Sequence, residues 1–112
     1  MLITVAEMPG YQRLAGKLLS IDERQDIVSY LAAFPRDGDL IRDTGGVRKL
    51  RWGRSGRGKS GGVRLIYYFH SERMPLYLLT VFAKNERDDL TQRERNELAK
   101  LVSLLVETIP EK

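Results

Sequence analysis

Residues 63–82 read VRLIYYF-HSERMP-LYLLTVF, and this stretch decides the fold. Val63–Phe69 and Leu76–Phe82 are two apolar runs rich in β-branched and aromatic residues, the composition that favours extended chain. Between them Ser71–Pro75 supplies turn chemistry, so the two runs are expected to pair as antiparallel neighbours. Upstream, Val47–Trp52 (VRKLRW) alternates apolar and basic residues imperfectly and reads as a third strand, giving a three-stranded meander.

Working outward, Leu2–Ala6 is short, apolar and β-branched, a first strand that Pro9-Gly10 breaks. Tyr11–Leu19 sets Leu14, Leu18 and Leu19 near one helical face. Ser20 stands three residues before Glu23, a capping-box signature that opens a second helix ending at Pro35. Arg36–Gly46 contains DGD and DTGG and reads as loop. Thr91 with Glu94 announces a last helix that presents Leu98, Leu101, Val102, Leu105 and Ile109 on one stripe. The expected class is α+β: a single domain over residues 1–112, in the order β-α-α-β-β-β-α. Its mostly antiparallel sheet carries the helices on one face.

The chain has 112 residues, the size of one core, and is 42% hydrophobic and 30% charged, which argues against disorder. It has no cysteine, so disulfides and thiolate metal sites are excluded. The opening MLITVAEMPG carries an acid in place of a basic n-region and long apolar run, so no secretory signal is expected. Nor does any stretch approach the length needed to span a bilayer, and the expected location is cytoplasmic, with no membrane partner.

The net charge is +4, but its distribution says more than its total. Between Val47 and Arg73 lie eight basic residues and a single acid, Glu72, a net +7 that leaves −3 on the rest of the chain. Concentrated positive charge on an otherwise acidic body points to a polyanion met on one face.

Gly53–Ser60 (GRSGRGKS) satisfies the phosphate-loop pattern G-x-x-x-x-G-K-S. A true phosphate loop leads into a helix whose N-terminus meets the anion, whereas here a strand follows. The match is therefore read as accidental. The segment Gly53–Gly62 instead reads as an exposed cationic loop suited to a phosphodiester backbone through Arg54, Arg57 and Lys59. Lys49 and Arg51 are two apart and share a face of their strand. Arg64 lies within an apolar strand with Ile66 and Tyr68 on its side. With suitable register, Lys49, Arg51 and Arg64 converge beside a tyrosine, an arrangement able to clamp a phosphate and stack a base. His70 is the only histidine and is read as an exposed polar residue next to a turn. No histidine pair, metal-spaced cluster or Ser-His-Asp set is present, and no metal or cofactor is expected. Glu86, Asp88 and Asp89 are read as acids that favour the dipole of the last helix.

The element order resembles the RelE/ParE superfamily, and most closely its HigB-type branch of toxin–antitoxin toxins. The residues that carry the likeness are the run Thr44–Arg51 (TGGVRKLR), the strand Gly62–Phe69 and the segment Leu78–Glu86 (LLTVFAKNE) before a C-terminal helix. The resemblance implies a microbial-ribonuclease-like fold and a toxin that enters the ribosomal A site and cuts mRNA. It implies attack of the ribose 2′-OH on the adjacent phosphate, giving a 2′,3′-cyclic phosphate and a 5′-OH. It also implies a cognate antitoxin, of the helix-turn-helix kind, that binds operator DNA. The family's catalytic set falls on Lys49, Arg51 and Arg64, with Lys84 in support and Tyr68 as stacking residue or base; Arg48, Arg54, Arg57, Lys59 and Arg87 fall in RNA-binding positions. Family members carry an arginine where this chain has Asn85, and a tyrosine near the last helix that is missing here, so the general base is open among Tyr67, Tyr68, Lys84 and Arg87. A non-catalytic RNA-binding module would use the same basic sheet; a gyrase-poisoning toxin is a second rival, against which Lys49, Arg51 and Arg64 argue, because the resemblance implies that branch lacks the basic set. A toxin fold that has lost activity and serves only as an antitoxin partner is a further possibility.

Overall fold

In the computed structural model, which describes residues 3–53 and 62–108, five strands and three helices follow in the order β1 (Val5–Glu7), α1 (Pro9–Leu18), α2 (Ile21–Ala33), β2 (Asp39–Leu40), β3 (Val47–Trp52), β4 (Val63–Tyr68), β5 (Leu76–Ala83) and α3 (Gln92–Glu107). The class is α+β, as the sequence indicates. The strands form one sheet in the order β1-β5-β4-β3-β2. β1 runs parallel to β5, and every other neighbouring pair is antiparallel. The meander β3-β4-β5 is the centre of this sheet, in the positions its composition indicates.

Both capping boxes form. The Ser20 side chain accepts from the Glu23 N–H, and Thr91 accepts from that of Glu94, while each glutamate accepts from its cap residue's N–H. α1 begins at Pro9, two residues before the expected start, because proline is tolerated in a first turn where its missing N–H costs nothing. Two further differences concern the edges. Asp39–Leu40 forms a short strand on β3 inside the segment read as loop. The first strand covers Val5–Glu7 and not Leu2–Ala6, and Leu2 lies outside the described residues.

The helices do not share one face, contrary to expectation. Val63, Leu65 and Tyr67 of β4 pack with Tyr11 and Ala15 of α1 and with Ile27 and Leu31 of α2. Ile66 and Tyr68, at the alternate positions, pack with Val102 of α3, against which Leu98, Leu101 and Leu105 also lie. The reason is in β4 itself. All six of its residues are buried, and a strand apolar at both parities must be covered on both sides. A bulge adds Leu79 to β5 between the pairs Ile66–Thr80 and Tyr67–Leu78, and Leu79 joins the α3-side cluster with Phe82. α3 thus covers part of one face beside β3, and among the described residues no helix covers the end of that face where Arg51 and Arg64 lie.

Candidate active site

The open end of the α3 face is built by strand alternation. On β3, Val47, Lys49 and Arg51 point to the α3 face, while Arg48, Leu50 and Trp52 point to the α1/α2 face, where Leu50 and Trp52 join the first core cluster. The β3–β4 register pairs Lys49 with Ile66 and sets Arg51 directly opposite Arg64. Directly opposed like charges cost a sheet up to about 1 kcal/mol.

Arg64 is only 6% exposed, yet its compensation is thin. Its guanidinium reaches the Val63 carbonyl at 3.4 Å and the Asp88 carboxylate at 3.9 Å, and Asp88 itself stands almost wholly in solvent. Five N–H donors on a buried guanidinium demand more than that. Arg51 is exposed beside it. Lys49 is held at 3.3 Å by Asp89, whose other oxygen lies 3.3 Å from Arg95. Burial works against the Asp89 carboxylate, but the Leu90 N–H, Lys49 and Arg95 outweigh it and hold its pKa below the usual range. Lys49, Arg51 and Arg64 line a cleft of about 430 Å³ together with Leu50 and three acids, Asp37, Asp39 and Asp88. An adjoining cleft of about 390 Å³ is lined by Arg51, Arg64 and the exposed Lys84, so this lysine belongs to the same cationic end of the sheet.

The remaining sequence candidates separate. Arg48 is on the opposite face, donating to the Arg36 carbonyl at 3.0 Å and the Gly38 carbonyl at 2.7 Å, where it anchors the approach to β2; it is not on the cationic face. Its odd position relative to Lys49 and Arg51 explains this, since adjacent strand residues point to opposite sides. Tyr68 is on the right face but 3% exposed, packed under α3, and four positions from Arg64 along the strand, roughly 13 Å away. Burial pushes its phenol above the ordinary value, so it neither offers a ring to a base nor accepts a proton at neutral pH. Tyr67 is wholly buried on the other face, accepting from the Gly38 N–H, with its pKa raised by burial. Arg87 comes near, its guanidinium 4.5 Å from the centre of the Phe82 ring, and Phe82 is the β5 residue opposite Arg64. Its charge, however, is engaged by Glu94 of the α3 capping box at 2.7 Å. Arg54, Arg57 and Lys59 lie outside the described residues. β4 begins at Val63, so a strand follows the glycine-rich segment, as the rejection of a phosphate loop requires. His70 is exposed, as expected.

Sequence reasoning missed the acids and cations that reach this face from outside the meander. Asp88 and Asp89 precede the α3 cap, and besides standing near the helix N-terminus they pair with Arg64 and Lys49. Arg95 comes from the first turns of α3. β4 is buried at both parities, Arg64 included, which calls for cover on a second face, but no local pattern names the residues that α3 brings there.

Among the described residues no helix is long and apolar enough to cross a membrane. The structure is similar to that of the Escherichia coli toxin RelE, solved as a double arginine mutant in the free state, with a TM-score of 0.58, 17% identity, and coverage of 91% of this chain and 98% of that one. At that identity the likeness speaks for the fold alone. The family model described as the RelE toxin of the RelE/RelB toxin–antitoxin system matches residues 28–112, which include the second half of α2, every strand of the meander and the cationic residues Lys49, Arg51, Arg64 and Lys84. The chain belongs to the RelE toxin family of toxin–antitoxin systems.

Proposed function

We propose that this chain is a ribosome-dependent mRNA endoribonuclease of the HigB-type branch, acting in the cytoplasm as the growth-inhibiting partner of a helix-turn-helix antitoxin. The observation that carries the reading is the opposition of Arg51 and Arg64 across β3 and β4, flanked by Lys49 and Lys84, on the one open part of the α3 face. Four cations held by a rigid sheet suit a phosphodiester more than any neutral ligand. In the cleft, Arg64 and Arg51 hold the non-bridging oxygens and stabilise the charge that builds on phosphorus as the ribose 2′-oxygen attacks. The 2′-hydroxyl releases its proton to solvent water as it attacks, the bond to the 5′-oxygen breaks, and a lysine ammonium, Lys49 or Lys84, supplies the proton that oxygen needs. Positioning and electrostatics carry most of the rate, as expected where the site offers charge and little else. No metal or cofactor enters this scheme.

Primer extension on a reporter mRNA in a purified translation system tests it. Cuts are expected with wild-type protein and ribosomes together, and none with Arg64→Ala. Intact mRNA with folded wild-type protein would overturn the reading. In that outcome the same face is a docking surface of a non-catalytic RNA-binding protein, a second reading favoured by the burial of Tyr68, which removes the nearest tyrosine from proton transfer.

A further inference from the structure

Lys49 stands between two clefts. One is the cationic cleft with Arg51 and Arg64. The second, of about 290 Å³, lies between the edge strand β2 and the start of α3, lined by Asp39, Leu40, Ile41, Arg42, Lys49, Asp89 and Arg95. It shares Asp39 and Lys49 with the cationic cleft, and Ile41, Arg42 and Arg95 belong to it alone. Asp39 pairs with Lys49 in the β2–β3 register and so faces the same side of the sheet. Ile41 contributes apolar wall, while Leu40, opposite Arg48 in the register, lines the cleft from the edge strand with its side chain toward the other face. Arg95 gives one nitrogen to Asp89, but its Nε is buried without a hydrogen-bond partner. Buried to that degree, the Nε has no surface left for a ligand, and only the terminal nitrogens of Arg95 can reach one.

An apolar wall, a carboxylate acceptor and arginine donors together match a nucleobase, which has apolar faces and an edge of mixed donors and acceptors. We propose that the β2–α3 cleft is a nucleobase subsite, taking the base of a nucleotide that flanks the scissile phosphate. Asp39 accepts from that base's edge and Arg42 and Arg95 donate to it. This rests on the RNA-cleaving reading for which phosphate is scissile, but not for the binding itself. Lys49 then sits where the phosphate path and the base-reading path meet, so sequence preference is set on the edge strand and not in the glycine-rich segment.

The test uses single-stranded 2′-O-methyl oligonucleotides, which lack the attacking hydroxyl, either intact or with one abasic position moved stepwise along the chain. Binding is read by fluorescence anisotropy. For wild-type protein, an abasic residue at one position is expected to weaken binding by about tenfold, the scale of one well-read or stacked base. Asp39→Ala and Arg42→Ala, both at exposed positions, are expected to weaken the intact probe to a similar degree and leave the abasic probe unchanged. Equal weakening of both probes would mean that the cleft reads phosphate only, and no weakening of either would mean that it reads nothing; both outcomes overturn the proposal. Failure of the RNA-cleaving reading shows separately, as uncut mRNA on ribosomes with wild-type protein.

Discussion

Arg64 occupies a strand position whose neighbours Val63, Leu65, Ile66 and Tyr67 are wholly buried, and it is itself nearly as buried while paired only loosely with Asp88. A buried charge with so little compensation costs the fold free energy, and its replacement by an apolar side chain of similar length is neutral or stabilising as a rule. Arg64→Met is therefore expected to unfold at the same temperature as wild type or a higher one while losing RNA cleavage. A marked drop in melting temperature would show instead that the guanidinium anchors the sheet. Tyr68 gives the converse case. Its ring fills space under α3, far from the cation pair, so Tyr68→Phe is expected to cleave RNA as wild type does, measured by the same primer extension. Loss of cleavage in that variant would return the phenol to the chemistry. The sequence places both residues on one strand face correctly, but burial and distance along the strand separate their roles.

At the scale of elements, the join between α2 and β3 depends on one close approach. A methyl group at Gly38 would meet the Tyr67 ring and hydroxyl at 2.9 Å and the Lys49 carbonyl at 3.0 Å. Gly38 also donates its N–H to the Tyr67 hydroxyl at 2.8 Å. Gly38→Ala must push Tyr67 or the β2–β3 ladder aside and is expected to cost about 1–3 kcal/mol in chemical denaturation, as overpacking does. Stability equal to wild type would mean that β2 yields freely. The central strands, the capping boxes and the shared face of Lys49 and Arg51 were all legible in the sequence, because each depends on residues within a few positions of one another. Strand β2 was not, since Asp39–Leu40 carries no strand composition and is recruited by the edge of β3. The second covered face was legible in principle, from an apolar run without alternation. The contacts of Asp88, Asp89 and Arg95 were not, because they depend on where α3 docks, and no local pattern encodes that.

For the whole molecule, charge and titration define the conditions under which the fold holds. The Asp89 and Glu94 carboxylates have pKa values below their ordinary values of 3.8 and 4.5. Glu94 is lowered first by Arg87, and Asp89, against its burial, by the Leu90 N–H, Lys49 and Arg95. The stability they contribute is complete above those ordinary values and is lost as pH falls through the folded ones. At the other end Tyr11, pushed up to about 12 mainly by burial, and Tyr67 and Tyr68, raised for the same reason, favour their neutral forms. Their contribution is complete below pH 10 and is lost as pH rises through the folded values. Melting temperature is thus expected to be level between about pH 5 and pH 9 and to fall on both sides, with Asp89→Asn weakening the acid-side fall. A fall centred near neutral pH would contradict these assignments. Function, by contrast, turns on one end of one sheet face. The most direct measurement is cleavage of a reporter mRNA on translating ribosomes by Arg64→Met protein whose melting curve matches wild type. Whole mRNA with the variant, beside cut mRNA with wild type, is the expected result. Equal cleavage by both proteins would contradict the assignment of catalysis to the cations of β3 and β4.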